Sequence, residues 1–330
     1  MSGLRTVRLA GLVAGILLAA TPWSVSAGTA SPLAAANAAL QAGKADEAVA
    51  LLNQTLGSDP NNGEANNLLC RVEYLLQQFD PAAGHCEKAV NAASQNARYH
   101  LWLGRVTGER AGKANFLSAF SLAKKTREEF ETAVRLDPHD AEALADLCEF
   151  DKDAPGAVGG GIDKAEVVAK QLDGVDPARA HECRAQIAEK QKNYDAAERE
   201  LKAAVAAGSH PAFQWMALAS FYRKRERWQE MEDAVKSGQA AAARDRHSIV
   251  ALYNGASTLA RANRQTDLAI KLFETYLASP DKTEEAPAFE AYVRLAKLRK
   301  AAGDNAGAAR ERSAALALAH EYKPAQELKL

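Results

Sequence analysis

Behind Arg5 and Arg8, the run from Leu9 to Ala20 carries no charge, and small residues follow at Val25-Ser26-Ala27. A short positive region, an apolar stretch and a small-residue cleavage site predict a secretory signal over residues 1–27. The apolar run is shorter than the ~20 residues that a bilayer span needs, so cleavage is expected rather than retention as an anchor. No cysteine follows the small residues, so lipid anchoring is not expected. Beyond the signal, alanine is frequent. Alanine is the best helix former, and its small side chain lets helices approach closely, so the rest is expected to be helical. Turn residues punctuate it at Gly43-Lys44-Ala45-Asp46, Gln78-Phe79-Asp80, Lys192-Asn193-Tyr194-Asp195, Glu226-Arg227-Trp228 and Gly303-Asp304-Asn305. Asp59-Pro60, Asp137-Pro138, Asp176-Pro177 and Ser279-Pro280 mark places where proline stops one helix and primes the next.

Two phrases carry a resemblance. Phe130-Glu131-Thr132-Ala133-Val134-Arg135-Leu136-Asp137-Pro138 and Leu101-Trp102-Leu103-Gly104 resemble the tetratricopeptide repeat, a helix-turn-helix of about 34 residues. That motif wants small residues at its eighth and twenty-seventh positions and alanine at its twentieth. Along the chain its eighth position falls on Ala36, Cys70, Gly104, Cys148, Ala185, Ala219, Ser257 and Ala296, all small. The twentieth falls on Ala48, Ala82, Thr126, Ala165, Ala197, Met231, Ala269 and Ala308; the twenty-seventh is looser. The two helices of a repeat cross at these positions, and a bulky side chain there would push the backbones apart. Repeats are therefore expected at about 29–62, 63–96, 97–140, 141–177, 178–211, 212–245, 250–283 and 289–322, with 323–330 as a C-terminal tail. The resemblance implies an all-α, right-handed superhelical solenoid of about eight repeats, like exported bacterial proteins of this type. Residues 97–180, with Trp102-Leu103-Gly104-Arg105, are also faintly similar to the repeat domain of the regulator-of-microtubule-dynamics family; no function is carried over from it.

Two repeats are overlong. Extra sequence lies around Gly108 to Leu122, including Phe116, Leu117 and Phe120, and again in the loop Asp153 to Gly161. Both fall at the turn between the helices of a repeat, so the loop is expected to pack on the extension, either to shield those apolar side chains or to form with them a lip that helps select the partner.

The formal net charge is −1, and without the two signal arginines 39 basic residues face 42 acidic ones. No global charge draws the chain to nucleic acid or to anionic lipid. Gly159-Gly160-Gly161 is followed by Ile162 and Asp163, not by the Lys-Ser/Thr of a phosphate-binding loop. The seven histidines show no zinc spacing. No nucleophile, base and orienter set stands out, so no cofactor, no metal and no enzymatic activity are expected.

The resemblance implies a concave face built from the second, fifth, sixth, ninth, twelfth and thirteenth positions of each repeat. That face begins apolar and aromatic, with Leu68, Arg71, Tyr74, Leu75, Leu101, Trp102 and Arg105. It turns acidic at Glu142, Asp146 and Glu149, then basic, with Phe213 and Met216 beside Arg223, Lys224, Arg261, Arg294, Lys297 and Lys300. The expected function is that of an exported, periplasmic or secreted scaffold holding a protein or peptide in this groove, the acidic part of the partner against the basic end. The alternatives are a structural member of an envelope complex using the convex face, and a ligand or enzyme site at the 153–161 loop. Cys70, at an eighth position, and Cys86, at a twenty-fourth, should face each other within one repeat. An exported chain permits a disulfide there, which by loop closure would contribute on the order of 3 kcal/mol. Cys148 and Cys183 lie in different repeats, at positions that need not meet.

Overall fold

The computed structural model describes residues 31–329, so the expected signal segment lies outside the described residues. Sixteen helices form eight antiparallel hairpins. They are α1 (Pro32–Gln41) with α2 (Ala45–Ser58), α3 (Gly63–Leu75) with α4 (Phe79–Ala92), α5 (Ala97–Lys113) with α6 (Phe116–Leu136), and α7 (Ala141–Asp153) with α8 (Ile162–Leu172). Then come α9 (Pro177–Lys190) with α10 (Tyr194–Ala207), α11 (Pro211–Lys224) with α12 (Trp228–Ala242), α13 (Val250–Ala262) with α14 (Thr266–Ala278), and α15 (Ala288–Ala301) with α16 (Asn305–Leu318). A short α17 (Lys323–Gln326) follows. No strand occurs among the described residues.

Local chemistry sets the helix ends. Ser31, Asn62, Asn96, Asn115, Asp140, Asp176, Asn193 and Asp304 each accept a backbone N–H of the first turn they precede. The first helix of six hairpins ends in a left-handed residue: Gly43, Gln77, Lys192, Glu226, Asn263 or Gly303. This is the common way to stop a helix and reverse the chain. The two overlong hairpins abandon that turn. Crossing points are dry and small: Ala36, Cys70, Ala185, Ala219 and Ala296 are at most 1% exposed, as are Ala48, Ala82, Ala165 and Ala269. At Gly104 even one methyl is too many, since a Cβ would stand 2.5 Å from the Phe130 ring.

The array does not stay open: its end packs on its beginning. One buried apolar cluster joins Leu40, Leu52, Leu68 and Leu76 to Phe289, Val293, Ala315, Tyr322 and Ala325. Gly43, at φ +70°, lies so close to α15 that a Cβ would sit 2.3 Å from the Ala288 nitrogen. The Asp46 carboxylate accepts the His320 N–H at 3.0 Å, and Gln78 donates to Glu321 at 2.8 Å. Arg71, buried in α3, donates through Nε to Glu284 at 2.9 Å and through a second guanidinium nitrogen to its other oxygen. Residues 323–329 are therefore no free tail: Ala325 is fully buried, and Arg312 donates to the Ala325 and Gln326 carbonyls at 2.9 Å.

The hairpin insertions meet differently from expectation. The loop after α7 packs on α6 at Arg127, which bonds Asp151 at 3.0 Å and lies 2.8 Å from where a Cβ on Gly159 would be. It leaves Phe116 and Leu117 at 84% and 80% exposure, so it does not shield the extension's tip. Two disulfides are present. Cys70–Cys86 ties α3 to α4 across 5.3 Å between Cα atoms. Cys148–Cys183 ties α7 to α9 across 6.3 Å; stacking of consecutive first helices brings together two positions that the repeat register alone did not.

Two outcomes check this closure and a third checks the bridges. Arg71→Ala leaves the buried Glu284 carboxylate with only Gln41 and the more distant, exposed Arg98 and should cost about 3–5 kcal/mol in urea unfolding, while Arg71→Met with Glu284→Leu should cost much less, because no buried charge remains. Burial beneath the closure, with Glu321 adding and Lys88 opposing, pushes the Glu73 carboxyl up to about 8. The fold then holds a proton that the unfolded chain gives up near its ordinary 4.5. Stability from Glu73 is thus greatest below that value and falls as pH rises towards 8. Glu73→Gln should match the wild-type melting temperature at acidic pH and exceed it by several degrees at pH 8. Thiol titration of denatured, unreduced protein from an oxidising compartment should find no free thiol; four free thiols would rule out both bridges.

Candidate functional site

The first half of the concave face is occupied by the protein itself. Trp102 is 5% exposed. The Arg71 and Arg105 guanidiniums stack on it at 5.5 and 4.8 Å, and Tyr74 meets its edge at 5.6 Å. Leu75 is half-buried beside the closing cluster. Arg105 in turn bonds Asp146 at 2.5 Å and Glu142 at 3.2 Å, so two members of the acidic middle expected from the sequence are already paired, while the third, Glu149, is exposed. Burial pushes the Tyr74 hydroxyl up to about 12, with Glu109 reinforcing it.

The linker between α14 and α15 completes this filling. Its Ala286 carbonyl accepts from the fully buried Tyr276 hydroxyl, and Lys282 donates to the Leu277 carbonyl at 2.9 Å. Thus held, Glu284 reaches Arg71, Gln41 (3.3 Å) and Arg98 (3.8 Å), side chains from α3, α1 and α5. The next residue, Glu285, is solvent-accessible yet crowded: its carboxyl is raised by burial first, then by Glu142, while Arg179 and Arg105 oppose.

Beyond the linker an open concavity of about 510 Å³ remains between α9, α11 and α13. Arg179, Glu182, Phe213, Gln214, Tyr253, Ser257 and Arg261 line it, with Glu285 at its rim. Gln214 donates to Glu182 at 3.1 Å, and its own oxygen has no partner; nor has the Ser257 hydroxyl. Glu182 is held above the ordinary carboxylate range by burial, with Arg179 and Gln214 opposing and Asp176 reinforcing. Carboxyl groups whose charge is under-compensated, next to unmet acceptors, favour a ligand that brings hydrogen-bond donors and positive charge. Phe213, Met216 and Ala217 add an apolar wall.

The six basic residues expected to form one end of a groove are dispersed. Arg261 lies at the cavity. Arg294 pairs with Glu290 at 2.5 Å and covers the Tyr253 ring at 5.3 Å. Lys224 bonds Glu189 at 3.1 Å in a separate depression beside Lys152 and Lys190. Lys300 donates to the Lys329 carbonyl at 2.6 Å. Arg223 is half-buried and Lys297 exposed. The glycine loop is no anion cradle: the amides of Gly159, Gly160 and Gly161 donate to Gly156, Pro155 and Asp151. Among the described residues no group of three His, Cys, Asp or Glu side chains is placed to hold a metal ion.

Residues 39–105 match the family model of the tetratricopeptide repeat. These residues are tetratricopeptide repeats. A comparison with curated proteins finds no match. Among solved structures, a tetratricopeptide-repeat protein of Thermus thermophilus aligns over 58% of this chain and 96% of its own, at 19% identity and a TM-score of 0.49. One from Parabacteroides merdae aligns over 86% of this chain and 93% of its own, at 14% identity and a TM-score of 0.42. In tetratricopeptide positions, Arg179 and Glu182 are the second and fifth of their repeat, Phe213, Met216, Ala217 and Ser220 the second, fifth, sixth and ninth, and Asn254, Thr258 and Arg261 the fifth, ninth and twelfth. The position rule therefore predicts this wall, and applying it to residues 178–211 would have found Arg179 and Glu182. Nothing in that rule marks Gln214, Ser257, Glu284 or Glu285.

Proposed function

We propose that the protein is an exported interaction scaffold that holds a segment of a partner protein in the cavity between α9, α11 and α13. A tetratricopeptide fold is an interaction scaffold, and the observation that directs the reading to this cavity is the partition of the concave face. Its first half is filled by Trp102, Arg105 and the Thr283–Ala286 linker, whereas the second half is open and walled by concave positions. The partner segment carries a basic side chain for Glu182 and Glu285 and an apolar one for Phe213 and Met216. This reverses the charge expected of a partner lying along Arg223 to Lys300. The cavity's role is binding, not catalysis. The signal-like residues 1–27 and the two disulfides support export, since such bridges persist in oxidising compartments.

A photo-crosslinking residue at Phe213, compared with one at the exposed Lys236 of α12, tests the site in living cells. Covalent adducts should form from position 213 alone, and Glu182→Lys should abolish them. Adducts of equal yield from both positions, or from neither, would overturn the reading. Recovery of the adduct in the periplasmic or secreted fraction tests export separately.

A further inference from the structure

The α5–α6 hairpin is longer than its neighbours. Its helices run 17 and 21 residues, against 13 and 14 in the hairpin before it. The surplus ends in an apolar tip that nothing in the fold covers: Phe116 is 84% exposed, Leu117 80% and Phe120 39%. Phe116 and Phe120 are one helical turn apart, so they share a face with Leu117 beside them. Large apolar side chains at this exposure are a cost in water unless a partner removes them from it.

The charge around the tip says what that partner is. From Arg110 to Arg127 there are five cations and no carboxylate. Arg110, Lys125 and Arg127 are paired with Asp80, Glu87 and Asp151 of neighbouring helices. Lys113 and Lys124 make no ion pair among the described residues; their ammonium groups lie over the Phe79 and Phe120 rings at 4.0 and 4.8 Å. Two unneutralised positive charges therefore flank three exposed apolar side chains. The tip is also uncovered at Gly112, where an added Cβ would meet nothing within 4 Å. A stable protein interface needs about 800 Å² from each partner with matched shapes, and a narrow tip of three side chains does not supply it. A bilayer asks less. Aromatic and aliphatic groups enter the boundary between headgroups and acyl chains, and lysines reach the phosphates on flexible stems.

We propose that the tip of the α5–α6 hairpin docks the protein peripherally on an anionic lipid surface. Phe116, Leu117 and Phe120 enter the interface, and Lys113 and Lys124 face the lipid phosphates. No helix of the described residues is long and apolar enough to cross a membrane, so the attachment is reversible and superficial. It leaves the cavity between α9, α11 and α13 free.

The test is co-sedimentation with vesicles. Residues 31–329 pack as one unit, so the chain without residues 1–27 is used, and the apolar run Leu9–Ala20 does not contribute. It should bind vesicles containing phosphatidylglycerol and not pure phosphatidylcholine, and binding should weaken at about 0.5 M salt, where charges are strongly screened. The triple variant F116S/L117S/F120S should lose at least about tenfold in binding, and so should K113E/K124E. Circular dichroism should be unchanged in both and melting temperature nearly so, since of the two lysine–ring contacts only that of Lys113 over Phe79 reaches another hairpin. Absence of wild-type binding to phosphatidylglycerol, or undiminished binding by the triple variant, would overturn the proposal. So would a wild-type dimer in light scattering that the triple variant dissolves, since a second copy would then cover the tip.

Discussion

Everything else in this molecule depends on the contact between the two ends of the repeat array. Each tetratricopeptide hairpin buries its apolar faces on the hairpins before and after it, so a linear array leaves one uncovered face at each end. Here those faces cover each other. The contact combines a shared apolar cluster with a close backbone approach at Gly43 and a buried ion pair between Arg71 and Glu284. The three differ in kind. The apolar cluster supplies non-directional free energy, the glycine permits the approach, and the ion pair selects one register, because either charge left alone in that environment would be strongly unfavourable.

Closure also decides where a partner can bind. The linker that delivers Glu284 to Arg71 must lie across the concave side, and it consumes the aromatic and arginine surface of the first repeats. Arg105, which on position alone faces the groove, is instead an internal member stacked on Trp102 and paired with Asp146 and Glu142. The usable concavity moves to α9, α11 and α13. Its electrostatics change as well: Glu285 is brought near Glu142 and Arg179, and neither it nor Glu182 receives full compensation.

The overlong hairpins show how insertions are tolerated in such an array. Both enter at the turn between helices, where they disturb neither crossing point. The glycine loop folds back on α6, and its amides are satisfied internally. The other lengthens two helices into solvent and exposes their apolar tip. That tip and the cavity belong to different parts of the surface, so holding a partner and touching a lipid surface do not compete for the same side chains.

The sequence alone determined the helices and their pairing, because these rest on local rules. Alanine content, prolines at hairpin ends, and a small residue wherever two backbones cross are each visible within about one repeat length. The positions lining a concave face follow from the same period, which is why Phe213, Met216 and Arg261 lie on the cavity wall. What the sequence did not disclose involves residues far apart in the chain. Glu284 stands 213 positions from Arg71, and Gln41 lies 243 from Glu284. The six basic residues share a period but not a surface: Arg294, Lys224 and Lys300 are drawn to a carboxylate, ring or carbonyl near them in space, and only Arg261 lies at the cavity. Cys148 meets Cys183 because first helices stack on first helices, a relation that no single repeat contains. Periodicity specifies what each hairpin presents; only the tertiary structure decides which surfaces remain presented, because covering one end of the array with the other depends on the small per-repeat rotation summed over all eight hairpins.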